Sequence, residues 1–328
     1  MTTHIVFAFD GFPDLAIERS VLADQDVEFI WSHGVDTPES RAVLRQADVL
    51  VIALQKITGE VMDAMPDCRL ISRLGVGIDN IDVPAATARG IWVANVPDYG
   101  VDEVATHAIA LVLTQLRGIH ILANAARAGV YDGQAARPIQ RSTQLTLGVM
   151  GYGRIGRMVG SKSAGVGMRV IAYDPFLSDE KIRAAGAEPT DLERLFRESD
   201  FISLHLPLDA NTRHIINAHT LGMMKPSAYL VNTARGGLVD EAALLDAICT
   251  GRIRGAALDV LSSEPPRADD EVLQALLKDE RVIITPHVAW YSEQAQVDMR
   301  TRAAEDVRRV LRGERPRTPV NEVVAALP

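Results

Sequence analysis

Arg235, Glu264 and His287 each stand shortly after an apolar run, at Tyr229 to Asn232, Ala256 to Val260 and Val282 to Thr285. A guanidinium, a carboxylate and an imidazole gathered in one crevice can hold and protonate a carbonyl that lies beside a carboxylate while a separate carrier delivers a hydride to it. The guanidinium fork holds both groups in a fixed geometry that a lysine ammonium could not impose. Hydride arrival at the carbonyl carbon builds charge on its oxygen, and histidine is the natural side chain to deliver a proton there near neutrality. A carboxylate beside the ring sets its tautomer and favours its protonated form. Taken singly, Arg235 reads as a surface ion pair, Glu264 as a loop carboxylate before two prolines, and His287 as a satisfied core histidine. Their shared position after successive strands, where open α/β sheets bind ligands, turns three residues into a candidate site.

The hydride carrier has its own signature. The run Leu145 to Met150 leads into Gly151-Tyr152-Gly153-Arg154-Ile155-Gly156, helix-compatible sequence follows, and about twenty residues on a further strand ends in Asp174. Gly151 permits the tight turn, Gly153 lets the backbone approach a pyrophosphate, and Gly156 lets the helix pack close, its N-terminal amides facing the phosphates. Asp174 can accept both ribose hydroxyls and would repel a 2′-phosphate, so NAD is expected rather than NADP. Pro175 follows directly, and the plainer role of Asp174 is to shape a turn.

The elements that must hold these residues are legible as alternating apolar runs and amphipathic stretches, the pattern of parallel α/β units. A first series runs Ile5 to Phe9, Val27 to Trp31, Val49 to Ala53, Leu70 to Arg73 and Ile91 to Ala94. A second series of six begins at Leu145 and continues with Val170 to Tyr173, Phe201 to His205 and the three runs named above. Between them, Val101 to about Ala128 reads as one long bridging helix, and Glu293 to Leu311 as a helix that returns to the first sheet ahead of a strandless tail from Gly313. The expected fold is therefore α/β with two open parallel-sheet domains, a Rossmann NAD-binding domain (100–291) inserted into a smaller flavodoxin-like substrate domain (1–99 and 292–328).

Composition narrows the class further. With 328 residues, 47% apolar and 23% charged, the chain can bury a sizeable core. A net charge of −9 with dispersed basic residues argues against nucleic acid. Cys68 and Cys249 are far apart and in no metal-type spacing, so free thiols, no metal and a reducing, cytoplasmic setting are expected. The N-terminal run meets Asp10 too soon for a signal peptide, and Val101 to Leu116 carries Asp102, Glu103, His107 and Gln115, which a bilayer would not accept cheaply.

Taken with Leu74-Gly75-Val76-Gly77-Ile78-Asp79-Asn80, these ordered motifs resemble the D-2-hydroxyacid dehydrogenase family over nearly the whole chain. The resemblance implies Arg235 as substrate clamp, Glu264 as partner of the histidine and His287 as general acid or base. It also implies a wider cofactor set of Gly151, Gly153, Arg154, Ile155, Gly156, Asp174, His205, Leu206, Pro207, Thr212, Thr233, Ala234, Arg235, Asp259 and His287. The amides of Val76 and Gly77 would meet the substrate carboxylate, since the flanking glycines leave the backbone approachable. Lys56 is placed near the substrate loop and could meet a second anionic group, or be a solvated lysine. Phosphoglycerate dehydrogenases often carry an arginine early in that loop where this chain has Ile52, so phosphoglycerate is not the favoured substrate.

His287-Val288-Ala289-Trp290-Tyr291-Ser292-Glu293-Gln294-Ala295 resembles the C-terminal binding protein branch of the family, which couples NAD binding to corepression. Trp290 would line the substrate pocket in that branch, or pack at a domain interface. Val76 stands where the branch has a polar residue, and the sequence runs only to Pro328 where the branch carries a long tail. The expectation is thus an enzyme, with an NAD-sensing corepressor-like protein as the alternative. The segment 129–141 is expected to embrace a second subunit, giving a homodimer.

Overall fold

The computed structural model describes residues 2–12 and 14–323, which divide into two compact units: Met1–Gly100 with Ser292–Pro328, and Val101–Tyr291. The first unit is built from β1 (Thr3–Phe7), α1 (Ala16–Val21), β2 (Val27–Trp31), α2 (Pro38–Leu44), β3 (Val49–Ile52), α3 (Gly59–Asp63), β4 (Leu70–Arg73), α4 (Val83–Ala88) and β5 (Trp92–Ala94). Its sheet has the order β2-β1-β3-β4-β5, all parallel, as in flavodoxin-like domains. Central strands such as Val49–Ile52 are apolar at every position because helices cover both faces, so their code is a continuous run and not an alternation.

The second unit opens with α5 (Val101–Arg117) and α6 (Ile119–Arg127). It continues with β6 (Thr146–Met150), α7 (Arg154–Gly165), β7 (Arg169–Tyr173), α8 (Asp179–Ala184), β8 (Glu188–Pro189), α9 (Leu192–Glu198) and β9 (Phe201–Leu204). Then come α10 (Ala218–Met223), β10 (Tyr229–Asn232), α11 (Glu241–Cys249), β11 (Gly255–Leu258), α12 (Glu271–Lys278) and β12 (Val282–Ile284). The sheet order β12-β11-β10-β9-β6-β7-β8 is the doubly wound order, inserted between the two pieces of the first unit as expected. The strand order reverses between β6 and β9, which is where such sheets open a crevice at their carboxyl ends.

Two readings of the sequence need correction. The inserted sheet has seven strands, not six: β8 is a two-residue edge strand, and Pro189 is tolerated there because an edge needs fewer ladder donors. The bridging helix is broken at Gly118, where α5 and α6 meet at a 63° bend. Gly118 sits at φ +59°, and a Cβ there would come within 2.4 Å of the Ala136 side chain, so the break is built around the missing side chain. Among the described residues the tail forms no strand, in keeping with the sequence reading, yet it is fastened to the first sheet. Val320 donates its amide to Val93 O at 2.7 Å, Pro319 bridges Ala94, and the Asn321 side chain serves Val93 N and Ile91 O. The edge of β5 is thereby paired instead of left open. Among the described residues, no single helix is long and apolar enough to cross a membrane.

The returning helix α13 (Glu293–Leu311) is tied to α1 by a buried ion pair. Arg300 donates to both carboxylate oxygens of Glu18, at 2.8 and 2.6 Å, reaches the carbonyl of Asp14 and lies over the Phe12 ring. Both side chains are almost wholly buried, so neither charge has water to fall back on. Removing one partner should strand the other: Glu18→Ala is expected to lower unfolding stability by about 3 kcal/mol or more, whereas Glu18→Met combined with Arg300→Met should recover most of that loss. Urea unfolding of the two variants checks it.

Candidate active site

The glycine loop is shaped by two close approaches. Gly151 lies at φ +89° with a hypothetical Cβ 2.6 Å from His205 O, and a Cβ on Gly156 would come within 2.1 Å of Gly151 O. Only hydrogen atoms fit at either place. At Gly153 the same position is open space, which leaves room beside the backbone. The twelve-residue helix α7 starts from Gly153 with no side-chain cap, and the N–H groups of Gly153, Arg154 and Ile155 have no acceptor among the described residues. Unpartnered amides at a helix N-terminus, in a cradle that a Cβ would fill, fit a pyrophosphate.

Asp174, at the end of β7, accepts from the amide of Tyr152 at 2.8 Å and from that of Phe176 at 2.9 Å. It therefore shapes its own turn and also braces the glycine loop, and each oxygen keeps a lone pair for a ribose hydroxyl. Thr233, at the end of β10, buries a hydroxyl oxygen that has no partner among the described residues, a group a bound ligand would satisfy. His205 is neutral: burial pushes its pKa down to about 3, and its Nε2 lies 2.8 Å from the Ser203 hydroxyl. Leu206 is buried and Pro207 exposed, while the Thr212 hydroxyl is spent inside its own loop, donating to Pro207 O.

His287 and Glu264 meet directly, with the imidazole Nδ1 2.6 Å from Glu264 Oε2. The other carboxylate oxygen accepts from the Leu261 amide at 2.8 Å. Burial pushes the Glu264 carboxyl up, but the hydrogen bond and charge of His287, the Leu261 amide and the charge of Arg235 together hold it below the usual value. Glu264 is thus an anion that accepts from Nδ1–H, and Nε2 of His287 has no partner among the described residues. Arg235 lies between β10 and a short turn at Gly236–Leu238, its backbone carbonyl held by the Asn232 side chain at 2.8 Å. Gly236 is what lets that segment approach the Glu264 loop, since a Cβ would overlap the backbone of Leu261 and Ser262. Glu241 grips the same loop from beneath, accepting from the Ser262 amide at 2.7 Å and from the Ser262 hydroxyl.

The turn that carries His287 is held from below. His287 itself adopts φ +51°, a left-handed conformation that costs a side-chain-bearing residue roughly 1–2 kcal/mol. Asp259, 1% exposed at the end of β11, accepts from the amides of Val288 at 3.0 Å and Ala289 at 2.9 Å and from the Thr285 hydroxyl at 2.5 Å. Its backbone carbonyl takes the His287 amide at 2.8 Å. The carboxylate that the family resemblance implies for the cofactor is therefore already committed to shaping this turn. Trp290 closes the turn, donating its indole N–H to His287 O at 3.0 Å.

In the first unit, β4 ends at the loop Gly75–Gly77. The N–H groups of Val76 and Gly77 make no hydrogen bond among the described residues, while the loop is fixed by Asn95 to Val76 O and by Val96 to Gly75 O. Lys56 is exposed on the neighbouring loop, which the Asn80 side chain ties down through Ala53 O and Gln55 O. Two polar residues escaped the sequence reading. Arg73 is buried beneath Gly75, and its only sequence signal was a charge ending an apolar strand. His107 was read only as an interruption in an apolar helix.

The two parallel α/β units and the glycine cradle define a dinucleotide-binding α/β protein. Residues 109–289 match the family model described as "D-isomer specific 2-hydroxyacid dehydrogenase, NAD binding domain". The chain is 40% identical over 290 residues to a D-3-phosphoglycerate dehydrogenase of Methanocaldococcus jannaschii, covering 88% of this chain and 54% of that protein. It is 37% identical over 268 residues to a hydroxypyruvate reductase of Thermotoga maritima, covering 81% of this chain and 86% of that one. A D-lactate dehydrogenase of Aquifex aeolicus, solved with NAD and lactic acid, superposes with a TM-score of 0.86 at 30% identity, over 94% of this chain and 96% of that one. The chain belongs to the D-isomer specific 2-hydroxyacid dehydrogenase family, and its second unit carries that family's NAD-binding domain. It spans about half the length of the phosphoglycerate dehydrogenases it matches.

Because Gly156 touches Gly151 backbone, Gly156→Ala should open the cradle and weaken NADH binding by about tenfold or more, equivalent to about 1.4 kcal/mol. Gly165→Ala, on the same helix with open space around its Cβ, should leave binding unchanged. Quenching of protein fluorescence by NADH compares the two.

Proposed function

We propose that this chain is an NAD-dependent oxidoreductase that transfers a hydride between nicotinamide and C2 of a small 2-hydroxy or 2-keto acid. The observation that carries the reading is the His287–Glu264 pair, with Nδ1 tied to an anionic carboxylate and Nε2 left to face a substrate oxygen. When bound, the dinucleotide would supply the redox chemistry, NADH giving a hydride to C2 in reduction and NAD taking one from C2 in oxidation. Arg235 holds the substrate carboxylate and carbonyl, and the amides of Val76 and Gly77, which bond to nothing among the described residues, have the chemistry to take a carboxylate. In reduction, His287 gives the proton at Nε2 to the carbonyl oxygen, and Glu264 stabilises the cation before transfer. In oxidation, the same nitrogen accepts the hydroxyl proton.

Asp174 gives the preference for NAD over NADP, since a carboxylate beside the ribose repels a 2′-phosphate. Trp290 is assigned to the substrate pocket, and its indole bond to His287 O couples it to the catalytic turn. The free thiols Cys68 and Cys249 suit a reducing, cytoplasmic setting. A homodimer is proposed through α6 and the 129–141 segment, because α6 buries none of its residues while Ile119, Val130 and Tyr131 expose apolar surface. Mass in solution at micromolar concentration is expected to be twice that of the chain, and a clean monomer overturns the dimer.

Turnover of pyruvate, glyoxylate, hydroxypyruvate and phosphohydroxypyruvate with NADH tests the activity. At least one should be reduced, with NADPH a poor donor. An inert panel combined with tight NADH binding would instead favour a corepressor-like NAD sensor. For the mechanism, Glu264→Gln keeps shape but removes the charge that supports the imidazolium. The alkaline limb of kcat/KM for reduction should then move to lower pH, by about one unit, while activity at low pH largely survives. His287→Ala should cost on the order of a hundredfold at every pH. A uniform loss in Glu264→Gln with the pH profile in place would reduce Glu264 to a positioning group.

A further inference from the structure

His107 lies on α5, far from the catalytic residues in sequence, yet its Nε2 is 3.0 Å from the hydroxyl of Thr285 and 3.6 Å from Asp259 Oδ1. The Thr285 hydroxyl can donate only one hydrogen, and it lies 2.5 Å from Asp259 Oδ1, an acceptor-only carboxylate. That hydroxyl must therefore accept from His107, which fixes the histidine as the Nε2–H tautomer. The result is a directional relay: His107 Nε2–H donates to Thr285 Oγ1, Thr285 O–H donates to Asp259 Oδ1, and Asp259 accepts the Val288 and Ala289 amides. At its end stands His287, in a left-handed conformation that its own side chain disfavours and that the turn must impose.

We propose that His107 is a positioning residue for His287, acting through Thr285 and Asp259. The inference rests on the reading of His287 as proton donor. Asp259 is 1% exposed, its Oδ2 takes the Ala289 amide, and its Oδ1 takes both the Val288 amide and the Thr285 hydroxyl, so the hydroxyl completes the set of bonds that fixes the carboxylate under the turn. His107, by donating to the Thr285 oxygen, fills the hydroxyl's acceptor side and reinforces that direction. Without it, the Thr285 oxygen loses its donor, the bond from Thr285 to Asp259 Oδ1 is less tightly aligned, and the turn beneath His287 loosens enough for the ring to sample positions away from the substrate oxygen. Small errors in position are costly for a proton donor, because the transfer depends on hydrogen-bond distance.

The test compares His107→Leu, His107→Gln and Thr285→Val. Glutamine can offer an N–H near the place of Nε2, leucine cannot. His107→Leu is expected to lower kcat by about tenfold or more, with the Kd for NADH within about threefold of wild type. His107→Gln should recover most of the rate, and His107→Leu combined with Thr285→Val should cost no more than either alone, because both cut one relay. A readout independent of turnover is the Cε1–H signal of His287 in histidine-labelled protein, assigned by its absence in His287→Asn. That signal should shift or split in His107→Leu and return in His107→Gln. Failure of every keto acid to react would count against the proposed function, whereas the labelled signal still judges the relay. An unperturbed His287 signal in His107→Leu, no rescue by glutamine, or additive losses in the double variant would each overturn the proposal.

Discussion

The candidate site depends on one buried carboxylate. Asp259 sits at the carboxyl end of β11, almost without exposure, and satisfies its charge on two amides of the following turn and one hydroxyl. A buried anion is tolerable only when its lone pairs are filled, so these bonds have to form together or not at all. The same bonds hold His287 where the ring reaches Glu264, despite an unfavourable backbone conformation. Strain in the turn and saturation of the carboxylate are two sides of one arrangement, and the strain is tolerated because the surroundings determine it fully.

Around that point the second unit repeats one device, a strand end stitched to the next by backbone contact. Gly236 lets the Arg235 segment lie against Leu261, Gly156 lets α7 lie against Gly151, and Gly151 itself lies against His205. Absent side chains thus set distances that side chains elsewhere exploit. Glu241 and Glu264 secure the loop after β11 from two directions, each taking an amide of that loop. Burial raises the Glu241 carboxyl, while the neighbouring imidazole and guanidinium lower that of Glu264, so similar residues a short distance apart differ in charge preference because their partners differ.

The polar chemistry of the first unit is sparser. Its exposed amides at Val76 and Gly77 sit on a loop fixed from both sides, and a buried arginine, Arg73, lies beneath the same loop. The unit is closed by the chain's return, with Arg300 of α13 paired to Glu18 and Asn321 filling the edge of β5. Contacts between residues nearly three hundred positions apart hold this unit together, which is why its integrity depends on the far end of the chain.

Much of this was determined by local sequence. Continuous apolar runs set the parallel strands, glycine spacing set the cofactor loop, and the types of Arg235, Glu264 and His287 placed after strands marked the candidate site, because each signal lies within a few residues of what it encodes. Local signals fail where the deciding partner is distant. Gly118 looks like any helical glycine until Ala136 is packed against it, and the edge strand at Glu188 exists only because β7 is beside it. The pairing of Glu264 with His287 was expected, but the left-handed turn beneath His287 and its anchorage on Asp259 were not, since both arise from strands brought together by folding. His107 is the clearest case. In sequence it is a polar break in an apolar helix, and only the tertiary structure, by setting α5 beside the end of β12, gives its ring a hydroxyl to orient.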